Sequence, residues 1–400
     1  MRASYSSLVW IAFVVLGAAP TGTLRSVLAE EPFPGVETLP ETKGLPDPFR
    51  LRDGKRVSTP REWREHRKRL RSLIEHYEYG SLPAASERVR ASDTIERKLL
   101  GGLAIETRAT LHCGPKGSLR FRVSVTRPSK GKGPFPVVFK NEDRLGPFCP
   151  ILKRLVSEGF AFAEYIRADL DPDKKGVVGS AQAAYPENDW GTIAVWAWGG
   201  MRLVDYLSSL EYIDAKRIVC TGHSRGGKAA LLTAALDERI ALVVPNGSGA
   251  GGAGSFRVQG KRSESLTAIT DPKRFGYWFH PRLRSFAGRE NRLPFDQHFL
   301  TALVAPRGLL ITEAREDLWA NPLGTQHIFL ATKEVYRFHS SETRVGIHVR
   351  EGKHDQLVED WNALFEFAQR LFASKRTERP FDRLPYPAAR RAFEWKAPGR

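Results

Sequence analysis

The chain has 400 residues, of which 41% are hydrophobic, and it carries a net charge of +17. This length and apolar content suffice for one large domain with an extensive core. The positive charge favours an anionic partner such as an acidic polymer. It does not indicate nucleic acid, because the basic residues are spread along the chain and neither zinc-finger spacing nor an aromatic RNA-binding motif accompanies them.

The first 29 residues have the pattern of an export signal. Arg2 precedes an apolar stretch over 8–20 that is short for a membrane span, and small residues at 27–29 predict cleavage after Ala29. A buried N-terminal helix and an uncleaved anchor are the alternatives. No later segment approaches about eighteen apolar residues. We therefore expect a secreted or periplasmic protein that is not attached to a membrane after signal cleavage.

Beyond the signal, the patterns predict an α/β fold. Residues 30–58 are rich in Pro, Gly and charge and predict an extended arm, and Thr59-Pro60 then gives a good helix start. Residues 95–127 alternate like strands that form an antiparallel lead-in to the main sheet. Further strands are predicted at 135–139, 160–165, 217–220, 242–245, 308–312 and 345–349, and helices at 151–157, 193–210, 227–236, 325–337 and 357–372. Such alternation predicts a doubly wound, mostly parallel sheet in a three-layer αβα sandwich, with the main domain over 59–373 and an Arg- and Pro-rich tail over 374–400.

The segment Gly222-His223-Ser224-Arg225-Gly226 lies between a predicted strand and a predicted helix. In that context Gly-x-Ser-x-Gly is typical of the nucleophile elbow of α/β-hydrolases, a tight turn that leaves the serine hydroxyl exposed. The helix that follows directs backbone N–H groups at the site. The pattern predicts Ser224 as a nucleophile and the Arg225 N–H as an oxyanion donor, against the alternative of an ordinary Gly-rich turn.

The chain order of α/β-hydrolases places an acid and then a histidine downstream of the serine, each after a later strand. His354 fits, because it lies in the loop that follows strand 345–349. The loop after strand 308–312 offers the acid. We predict Asp317, with Glu316 as the alternative, and either could instead be a solvated loop carboxylate.

Three cysteines are present, Cys113, Cys149 and Cys220. Cys220 ends an apolar run and is predicted to be a buried thiol, whereas a pairing of Cys113 with Cys149 is left open by the sequence. No spacing in the chain indicates a metal site, and we expect no cofactor.

Several segments resemble carbohydrate esterase family fifteen, the glucuronoyl esterases. The elbow is similar to that family's motif, including Arg225 after the serine and Lys228 four residues after it. Further similar segments lie at 194–207, 235–257, 293–310, 316–322 and 352–355. The chain departs from many members at Gly247, where they carry the catalytic glutamate. Other, mostly bacterial, members take the acid from the later loop, in agreement with Asp317.

The resemblance implies a serine esterase that cleaves esters of 4-O-methyl-glucuronate on xylan, without a metal. It implies that the Arg225 guanidinium assists the backbone at the oxyanion, that Lys228 binds sugar hydroxyls, and that Trp319 forms a wall beside the uronate. Glu264 is a further candidate for the sugar pocket. The expected partner is glucuronoxylan or another uronate-bearing polysaccharide, bound by a monomer.

Two other functions stay open. An acetylxylan-type or general carboxylesterase would use the same triad on the same fold. A non-catalytic polysaccharide-binding protein is the alternative of another class, and the Ser224 and His354 pair argues against it. For Lys228 and Trp319, the alternatives are an exposed first-turn lysine and simple loop packing.

Overall fold

The computed structural model describes residues 33–84, 88–146, 149–387 and 389–399, so the predicted export signal lies outside the described residues. Across these ranges, nine strands form one sheet. They are β1 (Arg90–Leu99), β2 (Ala104–Cys113), β3 (Leu119–Pro128), β4 (Phe135–Glu142), β5 (Ala161–Ile166), β6 (Ile213–His223), β7 (Ile240–Asn246), β8 (Gly308–Ala314) and β9 (Val345–Arg350).

The strand order in the sheet is β1-β2-β3-β5-β4-β6-β7-β8-β9. The first three strands and the β3–β5 pair are antiparallel, which confirms the predicted lead-in. The other neighbours, from β5 through β9, are parallel. Because the carboxyl ends of parallel strands meet at one edge, the loops after β4 to β9 gather there.

Helices cover both faces of the sheet. They are α1 (Pro60–Ile74), α2 (Leu152–Ser157), α3 (Ser180–Ala184), α4 (Thr192–Ser209), α5 (Arg225–Leu236), α6 (Leu266–Ile269), α7 (Gln297–Ala302), α8 (Pro322–Phe338) and α9 (Val358–Ala373). Helices α2 and α9 share one apolar cluster with alternate residues of the central strands, among them Val138, Val219 and Leu310. Helices α4 and α5 pack against each other and against β6. The result is the three-layer arrangement predicted from the sequence.

Local sequence explains the two longest helices that precede the elbow. Thr59 caps α1 through a reciprocal capping box with Glu62, as the Thr-Pro start predicts. Helix α4 is apolar on nearly every side and is correspondingly buried, including Trp196 and Trp198.

The segments before α1 and after α9 have little regular structure, yet both bury apolar side chains. Leu45 and Phe393, from opposite ends of the chain, share one cluster with Ile328 and Ala331 of α8. Phe49 of the first segment is fully buried. Residues 34–400 form one compact unit, so these segments contribute to its packing.

All three cysteines are buried and carry no disulfide. Burial raises the pKa of Cys113 and of Cys149 to about 12, so both thiols stay protonated. In the part of the chain that the structure describes, none of the helices combines the length and apolar character needed to cross a membrane.

Candidate active site

The turn at Ser224 has the geometry of a strained elbow. Strand β6 ends at His223, α5 begins at Arg225, and Ser224 between them adopts φ 55° and ψ −127°. A Cβ at Gly222 would lie 2.2 Å from the carbonyl oxygen of Gly226, so position 222 requires glycine. At the start of α5, the N–H groups of Gly227 and Lys228 donate to Ser224 O at 2.8 Å and 3.1 Å, and within the described residues those of Arg225 and Gly226 have no helical acceptor.

His354 lies in the loop after β9 and pairs with one carboxylate. Its Nδ1 is 2.5 Å from Asp317 Oδ2, and Asp317 is buried. Two backbone hydrogen bonds tie the two loops together, from Arg315 N to Arg350 O and from Glu316 N to Gly352 O. The Glu316 side chain is exposed, and among the described residues it forms no hydrogen bond or ion pair with His354. The structure thus brings the predicted acid to the predicted histidine, and not the alternative.

Gly247 is the position at which the family resemblance implies a glutamate in many members. A Cβ there would lie 3.3 Å from Asp317 Oδ2 and 3.5 Å from His354 Nδ1. Position 247 therefore lies beside both the Asp317 carboxylate and the His354 ring.

A polar chain missed by the sequence reasoning lies beside His354. The His223 ring is 4.4 Å from the His354 ring, and its Nδ1 is 2.6 Å from Asn246 Oδ1. The Asn246 amide in turn donates to Thr312 Oγ1 at 3.0 Å. Burial, followed by the neighbouring His354, lowers the pKa of His223 to about 4. A neutral second imidazole therefore lies against His354. The position of His223 inside the elbow, next to Ser224, is the sequence signal that could have identified it.

His223 links the elbow to the histidine loop, because it precedes Ser224 in the chain and its ring packs at a tilt of 44° against the His354 ring. Within the described ranges, no hydrogen bond joins the Ser224 hydroxyl to the His354 ring. Such contacts are often long in ligand-free sites and shorten when substrate binds.

The Lys228 ammonium is buried, and it has three hydrogen-bond acceptors within the protein. It donates to Ser248 O at 2.7 Å, Ala250 O at 2.5 Å and Glu264 Oε2 at 2.8 Å. Burial raises the pKa of Glu264, and Lys228 opposes that rise. Lys228 is thus not an exposed first-turn lysine, because its side chain is buried and its ammonium lies among acceptors of the protein. Its three N–H donors all have partners within the protein.

Trp319 is exposed at the rim of a cavity of about 580 Å³ that is also lined by Asp317, His354 and Arg262. The Arg274 guanidinium lies 5.7 Å from the centre of the Trp319 ring. The exposed part of the Trp319 ring is therefore accessible to a ligand beside His354 and is not covered by other residues of the loop. The Arg225 side chain is 40% exposed and forms an ion pair with Asp173.

No group of three or more potential ligands is arranged to hold a metal ion in the ranges that the structure describes. The arrangement instead combines a strained serine, a histidine oriented by a buried carboxylate, and cationic side chains. It suits nucleophilic ester chemistry.

Comparison with known proteins places this site in a family. The family model for fungal glucuronyl esterases matches residues 114–339. A 4-O-methyl-glucuronoyl methylesterase of Thermothelomyces thermophilus is 32% identical over 313 residues, covering 76% of this chain and 74% of that protein. A carbohydrate esterase from an unknown prokaryotic organism is 30% identical over 386 residues, covering 81% of this chain and 88% of its own length.

Solved structures agree. A promiscuous family 15 (CE15) esterase from a marine bacterial metagenome superposes with a TM-score of 0.73 at 29% identity, over 84% of this chain and 99% of the other. A glucuronoyl esterase mutant from Sporotrichum thermophile, in complex with methyl 4-O-methyl-β-D-glucopyranuronate, gives a TM-score of 0.69 at 26% identity, over 85% of this chain and 90% of the other.

The fold and its relatives define an α/β-hydrolase that acts on carboxylic esters. More specifically, the chain belongs to carbohydrate esterase family 15, the glucuronoyl esterases. The family and fold predicted from the sequence are confirmed.

Proposed function

We propose that this chain is an exported esterase that hydrolyses esters of 4-O-methyl-glucuronate on xylan through a Ser224–His354–Asp317 triad. The observation that carries the proposal is the 2.5 Å contact between His354 Nδ1 and Asp317 Oδ2 beside the serine elbow. Relatives named 4-O-methyl-glucuronoyl methylesterases support the substrate, as does the neighbour complexed with a methyl glucuronate ester. In a uronate-bearing polysaccharide such as glucuronoxylan, this ester would join the sugar to an alcohol of lignin.

The proposed chemistry follows from the roles of the three side chains. His354 takes the proton of the Ser224 hydroxyl while the serine oxygen attacks the uronoyl carbonyl, and Asp317 holds the imidazole and stabilises its charged form. The His354 imidazolium then protonates the departing alcohol, which leaves an acyl-enzyme. Water activated by the same histidine hydrolyses that intermediate and restores the serine.

The developing oxyanion would be held by the backbone N–H of Arg225, at the start of α5, together with its guanidinium. Donors fixed before the reaction are more effective than mobile ones, because they need no reorganisation in the transition state. The positive end of the α5 dipole adds to this effect.

For the sugar, we propose that Trp319 forms a wall of the pocket and that the Lys228–Glu264 pair contacts its hydroxyls. The exposure of Trp319 beside His354 supports the first assignment. The ammonium of Lys228 can reach a hydroxyl only by exchanging one of its present acceptors, so Glu264 would position it for that exchange.

Initial rates on benzyl glucuronate, measured beside an acetylated xylan, test the proposal. We expect rapid release of benzyl alcohol and little release of acetate. Ser224→Ala should stay folded and lose essentially all activity, since only binding and oxyanion effects remain without the hydroxyl. Preferential release of acetate would transfer the assignment to an acetylxylan-type esterase. Near-normal turnover by folded Ser224→Ala would refute the elbow as the source of the nucleophile.

A further inference from the structure

We propose that Asp173 is a positioning residue that holds the Arg225 guanidinium in place for the oxyanion. This inference rests on the proposed oxyanion role of Arg225. Asp173 lies in the loop between β5 and α3, far from the elbow in sequence, and nothing in its local pattern distinguishes it.

Both carboxylate oxygens of Asp173 are in use. Its Oδ2 lies 2.7 Å from Nη1 of Arg225. Its Oδ1 accepts from the Tyr277 hydroxyl at 2.7 Å and from Trp278 Nε1 at 2.8 Å. One oxygen therefore faces the guanidinium, while the other is fixed by two donors from the segment between α6 and α7.

Two further features support a fixed position. The Arg225 Cζ lies 5.9 Å from the centre of the Trp278 ring, so the residue that anchors Asp173 also contacts the guanidinium. Burial, followed by the hydrogen bond to Asp173, raises the pKa of Tyr277 to about 12, so its hydroxyl stays a donor. Tyr277 and Trp278 thus fix the Asp173 carboxylate in place, and the fixed carboxylate orients the Arg225 guanidinium.

Arg225 needs such support, because its side chain is 40% exposed and an unrestrained arginine has many rotamers. The ion pair joins Asp173 to the Nη1 atom of a guanidinium that presents five N–H donors in a rigid fork. In the proposed mechanism, donors on the other nitrogens face the developing oxyanion. The ion pair therefore serves to orient Arg225. It adds little to the free energy of unfolding, because exposed ion pairs contribute little to folding.

The variant Asp173→Asn separates the two roles of the carboxylate, which are to accept from Tyr277 and Trp278 and to pair with Arg225. The asparagine Oδ1 can still accept from Tyr277 and Trp278, but an amide group then faces the Arg225 donor and the ion pair is lost. Asp169→Asn is the matched control, because Asp169 lies four residues earlier and pairs with Arg122 at 2.7 Å and 2.9 Å, away from Arg225.

The experiment measures kcat and KM on benzyl glucuronate and on p-nitrophenyl acetate for Asp173→Asn, Asp169→Asn, Arg225→Ala and the Asp173→Asn/Arg225→Ala double variant. We expect Asp173→Asn to lower kcat about tenfold on both esters with little change in KM, because the oxyanion is common to both. Asp169→Asn should match the wild type. The double variant should be no slower than Arg225→Ala alone, since Asp173 acts through Arg225.

Additive losses in the double variant would overturn the proposal, as would unchanged kcat in Asp173→Asn or an equal loss in Asp169→Asn. A wild type that cleaves only the acetate ester would refute the proposed substrate, while the acetate kinetics would still test Asp173.

Discussion

A single hydrogen bond distinguishes the two adjacent carboxylates of the loop after β8. Asp317 accepts at Oδ1 from Ala320 N and contacts His354 through Oδ2, so both of its oxygens are fixed. Glu316 is exposed. The sequence pattern places both residues in the loop after strand 308–312 and favours Asp317, with Glu316 as the alternative. The direction of each side chain depends on how the loop turns.

Asp317→Asn should lower kcat by three to four orders of magnitude, because an amide cannot stabilise the imidazolium and favours the wrong tautomer of His354. Glu316→Gln, which changes a carboxylate of the same loop, should leave kcat within about twofold. Steady-state kinetics on benzyl glucuronate measure both values. Similar losses in the two variants would contradict the assignment of Asp317.

Lys228→Ala should destabilise the fold by about 3–5 kcal/mol, because it leaves the buried Glu264 carboxylate without its cationic partner. Urea unfolding followed by tryptophan fluorescence gives the free energy of unfolding. Lys228→Met combined with Glu264→Gln removes both charges and should recover much of the loss. If Lys228→Ala unfolds like the wild type, the pair is hydrated and not buried.

At the scale of elements, the segments with a strong hydrophobic period were predicted from the sequence. The long connection between β7 and β8 was not. That connection contains α6, α7 and several short 3₁₀ turns, none long enough to show a hydrophobic period. It supplies Glu264, whose partner Lys228 lies on α5, and Tyr277 and Trp278, whose partner Asp173 lies in the loop after β5. Sequence could place the serine, the histidine and the acid because each follows a strand, whereas the supporting contacts depend on tertiary packing.

Thr59→Ala tests the helix start that sequence did predict. Thr59 Oγ1 accepts from Glu62 N, and Glu62 Oε2 accepts from Thr59 N, both at 3.2 Å. Removal of the hydroxyl should cost about 1 kcal/mol of unfolding free energy and leave kcat unchanged. Thermal unfolding should show a lower Tm for this variant than for Thr38→Ala, which removes an exposed threonine hydroxyl from a short turn. Equal Tm values would mean that packing of α1 makes its cap redundant.

For the whole molecule, two buried titratable groups have opposite effects on how stability changes with pH. His298 is fully buried, and burial lowers its pKa from 6.5 to about 4. Since the unfolded state binds the proton first, this histidine reduces stability as the pH falls from 6.5 to 4. Burial raises the pKa of Glu78 from 4.5 to about 8, so Glu78 reduces stability as the pH rises over that interval.

The variant His298→Gln should therefore lose less unfolding free energy than the wild type as the pH falls below neutrality. His298 Nε2 lies 2.7 Å from Pro46 O, and a glutamine amide can supply that donor without titrating. Urea unfolding at pH 7 and at pH 4 should show that the wild type loses about 3 kcal/mol more between these conditions than the variant. His112→Gln, on the lead-in strand β2, is the control. An unchanged pH dependence in His298→Gln would mean that other groups cause the loss of stability at low pH.

The three buried, unpaired cysteines have a consequence for how the enzyme is made and used. A chain whose thiols are protonated and out of contact with one another has no oxidative step in its folding and no bond for a reductant to break. It does not rely on the oxidising conditions outside the cell that many exported proteins need. It can therefore be produced in a reducing cytoplasm and can work in the presence of thiol reductants.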